Sequence, residues 1–75
     1  MDIHHLVEMA NNIGAFFAAE PDQAKGAQGI ASHIKSFWEP RMRRQILSYL
    51  DEKNGEGLSE LVLSALRTHR KELTP

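Results

Sequence analysis

The sequence predicts an all-α fold, a small single domain of three to four helices with a proline-bent helix pair at its centre. Apolar residues recur at three-to-four-residue intervals in successive segments, which is the spacing of one helix face. Pro21 and Pro40 stand between these segments, where a proline ends one helix and opens the next. The 75 residues have room for one domain, over 1–75, and a domain of this size buries only about 60% of its unfolded surface. Apolar cover from a partner would therefore add stability.

The first helix is predicted from an apolar stripe that ends before Glu20-Pro21-Asp22. The stripe consists of Ile3, Leu6, Val7, Ala10, Ile13 and Phe17, widened by Met9 and Phe16.

The second helix begins at Pro21-Asp22 and carries small apolar residues at its start and bulky ones at its end. Its predicted inner side consists of Ala24, Ala27, Ile30, Ala31, Ile34, Phe37 and Trp38. Gly26 and Gly29 share one face with His33. Two interpretations remain open at this point, a close approach of another backbone or local fraying, because glycine weakens a helix interior.

Pro40 opens the third helix and pushes Glu39 toward an extended conformation, which bends the chain just after Trp38. The helix is predicted to run to about Leu50, with its apolar stripe on Met42 or Arg43, Ile46, Leu47 and Leu50. Arg41 and Arg44 are then expected to point outward.

Residues 51–57 are polar, contain two glycines and predict a loop. The fourth helix is expected to bury Leu58, Leu61, Val62, Ala65 and Leu66. Leu63 does not belong to this stripe. It is either an ordinary exposed leucine or a contact for a partner. Residues 73–75 are expected to fray.

The sequence lacks the residues that several classes of functional site require. The chain has no cysteine, which excludes disulfides, thiolate metal sites and a thiol nucleophile. His4 and His5 diverge on a helix, His33 and His69 stand alone, and no usual catalytic or phosphate-binding motif occurs. We therefore expect no metal, no cofactor and no catalytic residue in this chain. No run is apolar enough for a secretory signal or a membrane span, so a cytoplasmic location is expected.

The segment 37–44 is the strongest candidate for a functional surface. Tryptophan and arginine are the residues found most often as anchors of protein interfaces. The predicted partner-binding residues are Phe37, Trp38, Glu39, Arg41, Arg43 and Arg44. A bent helix pair with arginines also resembles a DNA-reading motif, but the net charge of −1 argues against a nucleic-acid partner.

The residues of the central run also carry a family resemblance. The run from His33 to Arg43, HIKSFWEPRMR, resembles the hallmark of the delta subunit of NAD-dependent, molybdenum-containing formate dehydrogenase. Further similarity lies in Met9–Gly14 with Phe16 and Phe17, and in Gly55–Leu58 with the apolar residues that follow. Glu39 and Lys35 depart from this pattern, which commonly has aspartate and arginine there.

The resemblance implies a non-catalytic accessory subunit of a cytoplasmic complex that oxidises formate to carbon dioxide. Its implied partners are the catalytic alpha subunit and the other subunits, which would hold the molybdenum bis-guanine-dinucleotide cofactor, iron-sulfur clusters, FMN and NAD. Two alternatives stay open. One is a dissociable chaperone for molybdenum cofactor insertion, and the other is a small helical nucleic-acid-binding or regulatory module. The isolated chain could also self-associate through the surface that a partner would cover.

Overall fold

The computed structural model describes residues 1–75 and contains five helices and no strand. The helices are α1 (Ile3–Phe17), α2 (Gln23–Phe37), α3 (Pro40–Lys53), α4 (Glu60–Thr68) and α5 (Arg70–Leu73). The all-α prediction is confirmed, with α2 and α3 on either side of the Pro40 bend. The short α5 was not predicted.

Three of the longer helices begin at a side-chain cap. The Asp2 carboxylate accepts a hydrogen bond from the His4 N–H at 3.0 Å, and the Asp22 carboxylate accepts one from the Ala24 N–H at 2.9 Å. Ser59 caps α4 in the same way. Such caps satisfy amides that have no partner within the helix.

One apolar core holds all five helices together. α2 lies at its centre, between α1 and α4. The core residues, all at most 8% exposed, are Leu6, Ala10, Ala27, Ile30, Ala31, Ile34, Trp38, Ile46, Leu47, Leu50, Leu58, Val62, Ala65, Leu66 and Leu73. None of the helices combines the length and the apolar content that crossing a bilayer requires.

The two glycines of α2 allow a close approach of α1. A Cβ atom at Gly26 would lie 3.2 Å from the Phe17 carbonyl oxygen, and one at Gly29 would overlap the Phe17 ring. Of the two interpretations of these glycines, the structure supports close packing, since both lie inside an unbroken helix.

Three residues predicted to face the core are exposed, and those predictions were wrong. Phe16 and Phe37 are each 74% exposed, and Ala24 is exposed as well. The buried line of α1 ends at Gly14, and Phe16 lies about 200° further round the helix. Phe37 belongs to the last turn of α2, where its ring packs on His33 rather than into the core.

The third helix extends three residues beyond its predicted end, to Lys53. The following turn contains residues with positive φ, at Asn54 (56°), Gly55 (66°) and Gly57 (90°), a region that glycine and asparagine tolerate best. A Cβ atom at Gly55 would lie 2.5 Å from Leu63 Cδ2. Leu63 is therefore half-buried against this turn, which contradicts the first of its two interpretations, an ordinary exposed leucine.

Residues 73–75 were expected to fray, and for Leu73 this prediction was wrong. Its side chain is only 1% exposed. Arg70 forms two hydrogen bonds to the Asp51 carboxylate, at 2.8 and 2.6 Å. This hydrogen bonding raises the pKa of Arg70. The Lys35 ammonium donates to the Glu72 carbonyl oxygen at 2.8 Å, so α5 is tied to both α2 and α3.

Asn11 joins α1 to the loop that precedes α4. Its side-chain N–H donates to the Gly57 carbonyl oxygen at 2.9 Å, and its side-chain oxygen accepts from the Ser59 N–H, also at 2.9 Å. This role of Asn11 was not predicted, since an asparagine on a helix carries no sequence signal of a distant backbone partner.

Candidate docking surface

The candidate surface is built at the junction between α2 and α3. The backbone leaves α2 at Trp38 (φ −89°, ψ 134°) and stays extended at Glu39 (φ −63°, ψ 154°). Pro40 then takes the first position of α3, where it loses no helical hydrogen bond. Two extended residues followed by a proline therefore fix the direction in which α3 leaves the junction.

Trp38 lies inside the core rather than on the surface. It is only 5% exposed and belongs to the same cluster as Ile34 and Ile46. Its backbone N–H donates to the Ile34 carbonyl oxygen at 2.9 Å and closes the end of α2. Trp38 thus braces the junction, and its ring is not offered to a partner in this conformation.

Phe37, Glu39, Arg41 and Arg44 are exposed. Phe37 presents a large apolar ring to solvent and is 74% exposed. Glu39 makes no side-chain hydrogen bond to the first turn of α3, and glutamate is not among the residues preferred at this capping position. Four of the six predicted partner-binding residues are therefore available to a partner.

Arg43, like Trp38, is buried. It is 9% exposed, and its Nε atom has no hydrogen-bond partner. A buried donor without an acceptor costs about 1–3 kcal/mol, and more when it is charged. The sequence did not decide whether Met42 or Arg43 belongs to the apolar stripe of α3. The structure buries Arg43 and leaves Met42 half-buried.

Arg41, Arg43 and Arg44, which we call the arginine cluster, have no acidic partner within the chain. The ion pair of the molecule joins Arg70 to Asp51, and the remaining acid–base contact lies between His69 Nδ1 and Glu72 Oε1 at 3.2 Å. The first turn of α3 contains no acid. Cations near a helix N-terminus are disfavoured by the helix dipole, by about 0.3–1 kcal/mol each. In the isolated chain the arginine cluster is therefore a concentration of positive charge without compensation.

A second feature lies next to this junction, between α1 and α2. Ile13, Phe16, Phe17 and His33 line a cleft of about 270 Å³, which we call the aromatic cleft. The Phe16 and Phe17 rings meet edge to face, with centroids 5.1 Å apart and an interplanar angle of 86°. The His33 ring also packs on Phe37, with centroids 4.7 Å apart, so His33 connects the cleft to the end of α2.

The sequence analysis did not identify the aromatic cleft as a surface. It assigned Phe16 and Phe17 to one broad stripe and treated His33 as an isolated histidine. The signal that could have found the cleft is the adjacent pair of phenylalanines, since neighbouring residues on a helix point about 100° apart.

A wider groove of about 730 Å³ lies between α2 and α4. Polar side chains dominate its lining, among them Gln23, Gln28, Glu60 and Ser64. No group of three or more His, Cys, Asp or Glu residues lies close enough together to hold a metal ion.

Comparisons with known proteins place the chain in one family. The family of the NADH-dependent formate dehydrogenase delta subunit, FdsD, matches residues 5–66. This range includes most of α1, all of α2 and α3, the arginine cluster, the aromatic cleft and most of α4. No curated protein and no solved structure matches the chain. Because the family covers most of the sequence, the chain belongs to the delta subunit family of NADH-dependent formate dehydrogenases.

Proposed function

We propose that this protein is a non-catalytic accessory subunit that docks onto the other subunits of a cytoplasmic formate dehydrogenase and supports assembly or stability of that complex. Family membership gives the association with formate dehydrogenase. The observation that carries the docking role is the arginine cluster, whose three cations have no partner in the chain.

Each residue of the segment 37–44 has a part in this proposal. Phe37 supplies apolar contact area, while Arg41 and Arg44 supply charge that points away from the core. Trp38 and Pro40 hold these side chains in place, since one is buried and the other fixes the bend. Glu39 lies beside them as the single acid of the segment.

The chemistry belongs to the partner subunits in this proposal. The molybdenum bis-guanine-dinucleotide cofactor, the iron-sulfur clusters, FMN and NAD would reside there, and this chain would hold none of them. The chain has no cysteine with which to ligate iron-sulfur clusters in the usual way. The catalytic alpha subunit is the proposed main contact.

Charge reversal tests the docking role. The tagged chain is expressed together with the other formate dehydrogenase subunits, as wild type, as Arg41→Glu/Arg44→Glu and as the control Arg67→Glu. Arg67 is also exposed and unpaired, but it lies near the end of α4. We expect the double variant to lose copurification and the control to keep it. A double variant that remains folded and copurifies at the wild-type yield would refute docking through this segment.

A second measurement separates an accessory subunit from a dissociable chaperone. Complex is purified from cells with and without this chain, and its molybdenum content, subunit composition and formate-dependent NAD reduction are measured together. An accessory subunit is recovered in equal amount with the active complex. A chaperone for the molybdenum cofactor would be absent from that complex, although omission of the chain would lower its molybdenum content.

A further inference from the structure

We infer that the aromatic cleft is a second part of the docking surface, and that it receives an apolar side chain from an acidic segment of another formate dehydrogenase subunit. The carboxylates of that segment would meet the arginine cluster. This inference rests on the proposed function, and it adds both the chemistry of the partner and a contact on α1, outside the segment 37–44.

The cleft is suited to an apolar side chain. Three of its four lining residues are hydrophobic, and the Phe16 ring that forms one wall is 74% exposed. Its volume of about 270 Å³ is below the roughly 300–1,000 Å³ of pockets that hold small molecules and cofactors. Burying apolar area there removes it from water, which is the main favourable term in association.

The cleft and the arginine cluster lie close enough for one partner segment to reach both. His33 lines the cleft and also packs on Phe37. Phe37 precedes Arg41 by four residues, so their Cα atoms are at most about 14 Å apart. A single short segment of another protein can span this distance.

The positive charge of the arginine cluster favours an acidic partner. The three arginines of the cluster have no counter-ion, and they lie at the positive end of α3, where an anion is favoured. A phosphate backbone would satisfy the same charges, but the chain as a whole carries a net charge of −1, which does not favour nucleic acid.

The test uses the tagged chain coexpressed with the other subunits, with changes at Phe16 and an exposed control position on α4. Phe16→Asp removes the ring and adds a negative charge, Phe16→Lys removes the ring and adds a positive one, and Ser64→Asp adds a negative charge elsewhere. Circular dichroism checks that each variant keeps its helical content. We expect both Phe16 variants to lower copurification by roughly ten-fold or more, as for an interface anchor, and Ser64→Asp to leave it unchanged.

The outcomes separate this inference from the proposed function. If the Arg41→Glu/Arg44→Glu variant loses copurification while both Phe16 variants keep it, the cleft is not part of the interface and the proposed function stands. If Phe16→Lys copurifies better than wild type, charge alone acts at this position and the apolar contact is overturned. If the wild-type chain does not copurify at all, the proposed function and the inference fail together.

A photo-crosslinking phenylalanine analogue at position 16 identifies the occupant. In the assembled complex we expect an adduct on another subunit, within a segment that has more Asp and Glu than Lys and Arg. An adduct on a second copy of this chain, on nucleic acid or on a basic segment would overturn the inference.

Discussion

Arg43→Met is expected to make the isolated chain more stable while it weakens assembly. Arg43 is 9% exposed and its Nε has no partner, so the native state bears a desolvation cost of about 1–3 kcal/mol. Methionine keeps an unbranched apolar chain that can adapt to the same space. The change also removes a cation from the first turns of α3, worth a further 0.3–1 kcal/mol or so.

Together these terms predict a gain of about 1–4 kcal/mol for the isolated chain. For a domain of this size, each kcal/mol corresponds to a rise of roughly 4–8 °C in Tm. The assay is urea and thermal unfolding followed by circular dichroism. Arg44→Met is the matched control, because Arg44 is exposed and a surface change there should stay within about 0.5 kcal/mol.

The same variant should bind the other subunits less well, because the terminal guanidinium nitrogens of Arg43, unlike its Nε, are not enclosed and can donate to a partner. A hydrogen bond to a charged group contributes about 1.5–3 kcal/mol, so its loss would weaken assembly by roughly ten-fold to 100-fold. An Arg43→Met chain that is less stable than Arg44→Met would refute the argument, since the arginine with its buried Nε would then stabilise the isolated fold. Unchanged assembly would show that no partner group reaches Arg43.

Three further changes test the core. Gly14→Ala would place Cβ 2.6 Å from Val62 Cγ2, and we expect overpacking of about 1–3 kcal/mol to exceed the gain in helix propensity; a more stable variant in urea unfolding would contradict this. Leu73→Ala should cost about 2–5 kcal/mol and lower Tm by roughly 10 °C or more, whereas a frayed C-terminus would leave Tm unchanged. Trp38→Ala should cost about 3–5 kcal/mol, so any loss of copurification should accompany loss of helical circular dichroism; loss of binding with full helicity would instead make Trp38 a direct contact.

Periodicity and proline positions were enough to predict the helices and the bend. The stripes through Leu6 and Ala10, and through Ile30 and Ile34, are buried as expected, because strict three-to-four spacing leaves one face for the core. Pro40 opens α3 as expected, since the conformational limits of proline are local and need no tertiary information.

The errors concern residues at the edges of those stripes. Phe16 and Phe37 are as hydrophobic as core residues, yet whether such a ring is covered depends on where the neighbouring helix lies. A helical stripe does not contain that information. Leu73 was expected to be mobile from its position in the sequence, but its burial follows from hydrogen bonds that anchor α5 at Arg70 and Glu72.

The candidate site was partly predictable. Residue type alone pointed to the segment 37–44, and the spacing after Pro40 turned Arg41 and Arg44 outward, as the structure has them. Residue type and spacing could not show that Trp38 and Arg43 are buried rather than available to a partner. Tryptophan and arginine occur both as interface anchors and as buried residues that pack through their large apolar parts.

The two hydrogen bonds of Asn11 have a consequence for how the molecule opens. The Ser59 amide bonds to Asn11 on α1 rather than to a neighbour in the chain, and Ser59 itself caps the start of α4. Exchange of that amide with solvent therefore requires α1 to separate from the loop, although the two positions are 48 residues apart in the sequence. The first and fourth helices should then lose their protection against hydrogen exchange together, as one cooperative unit.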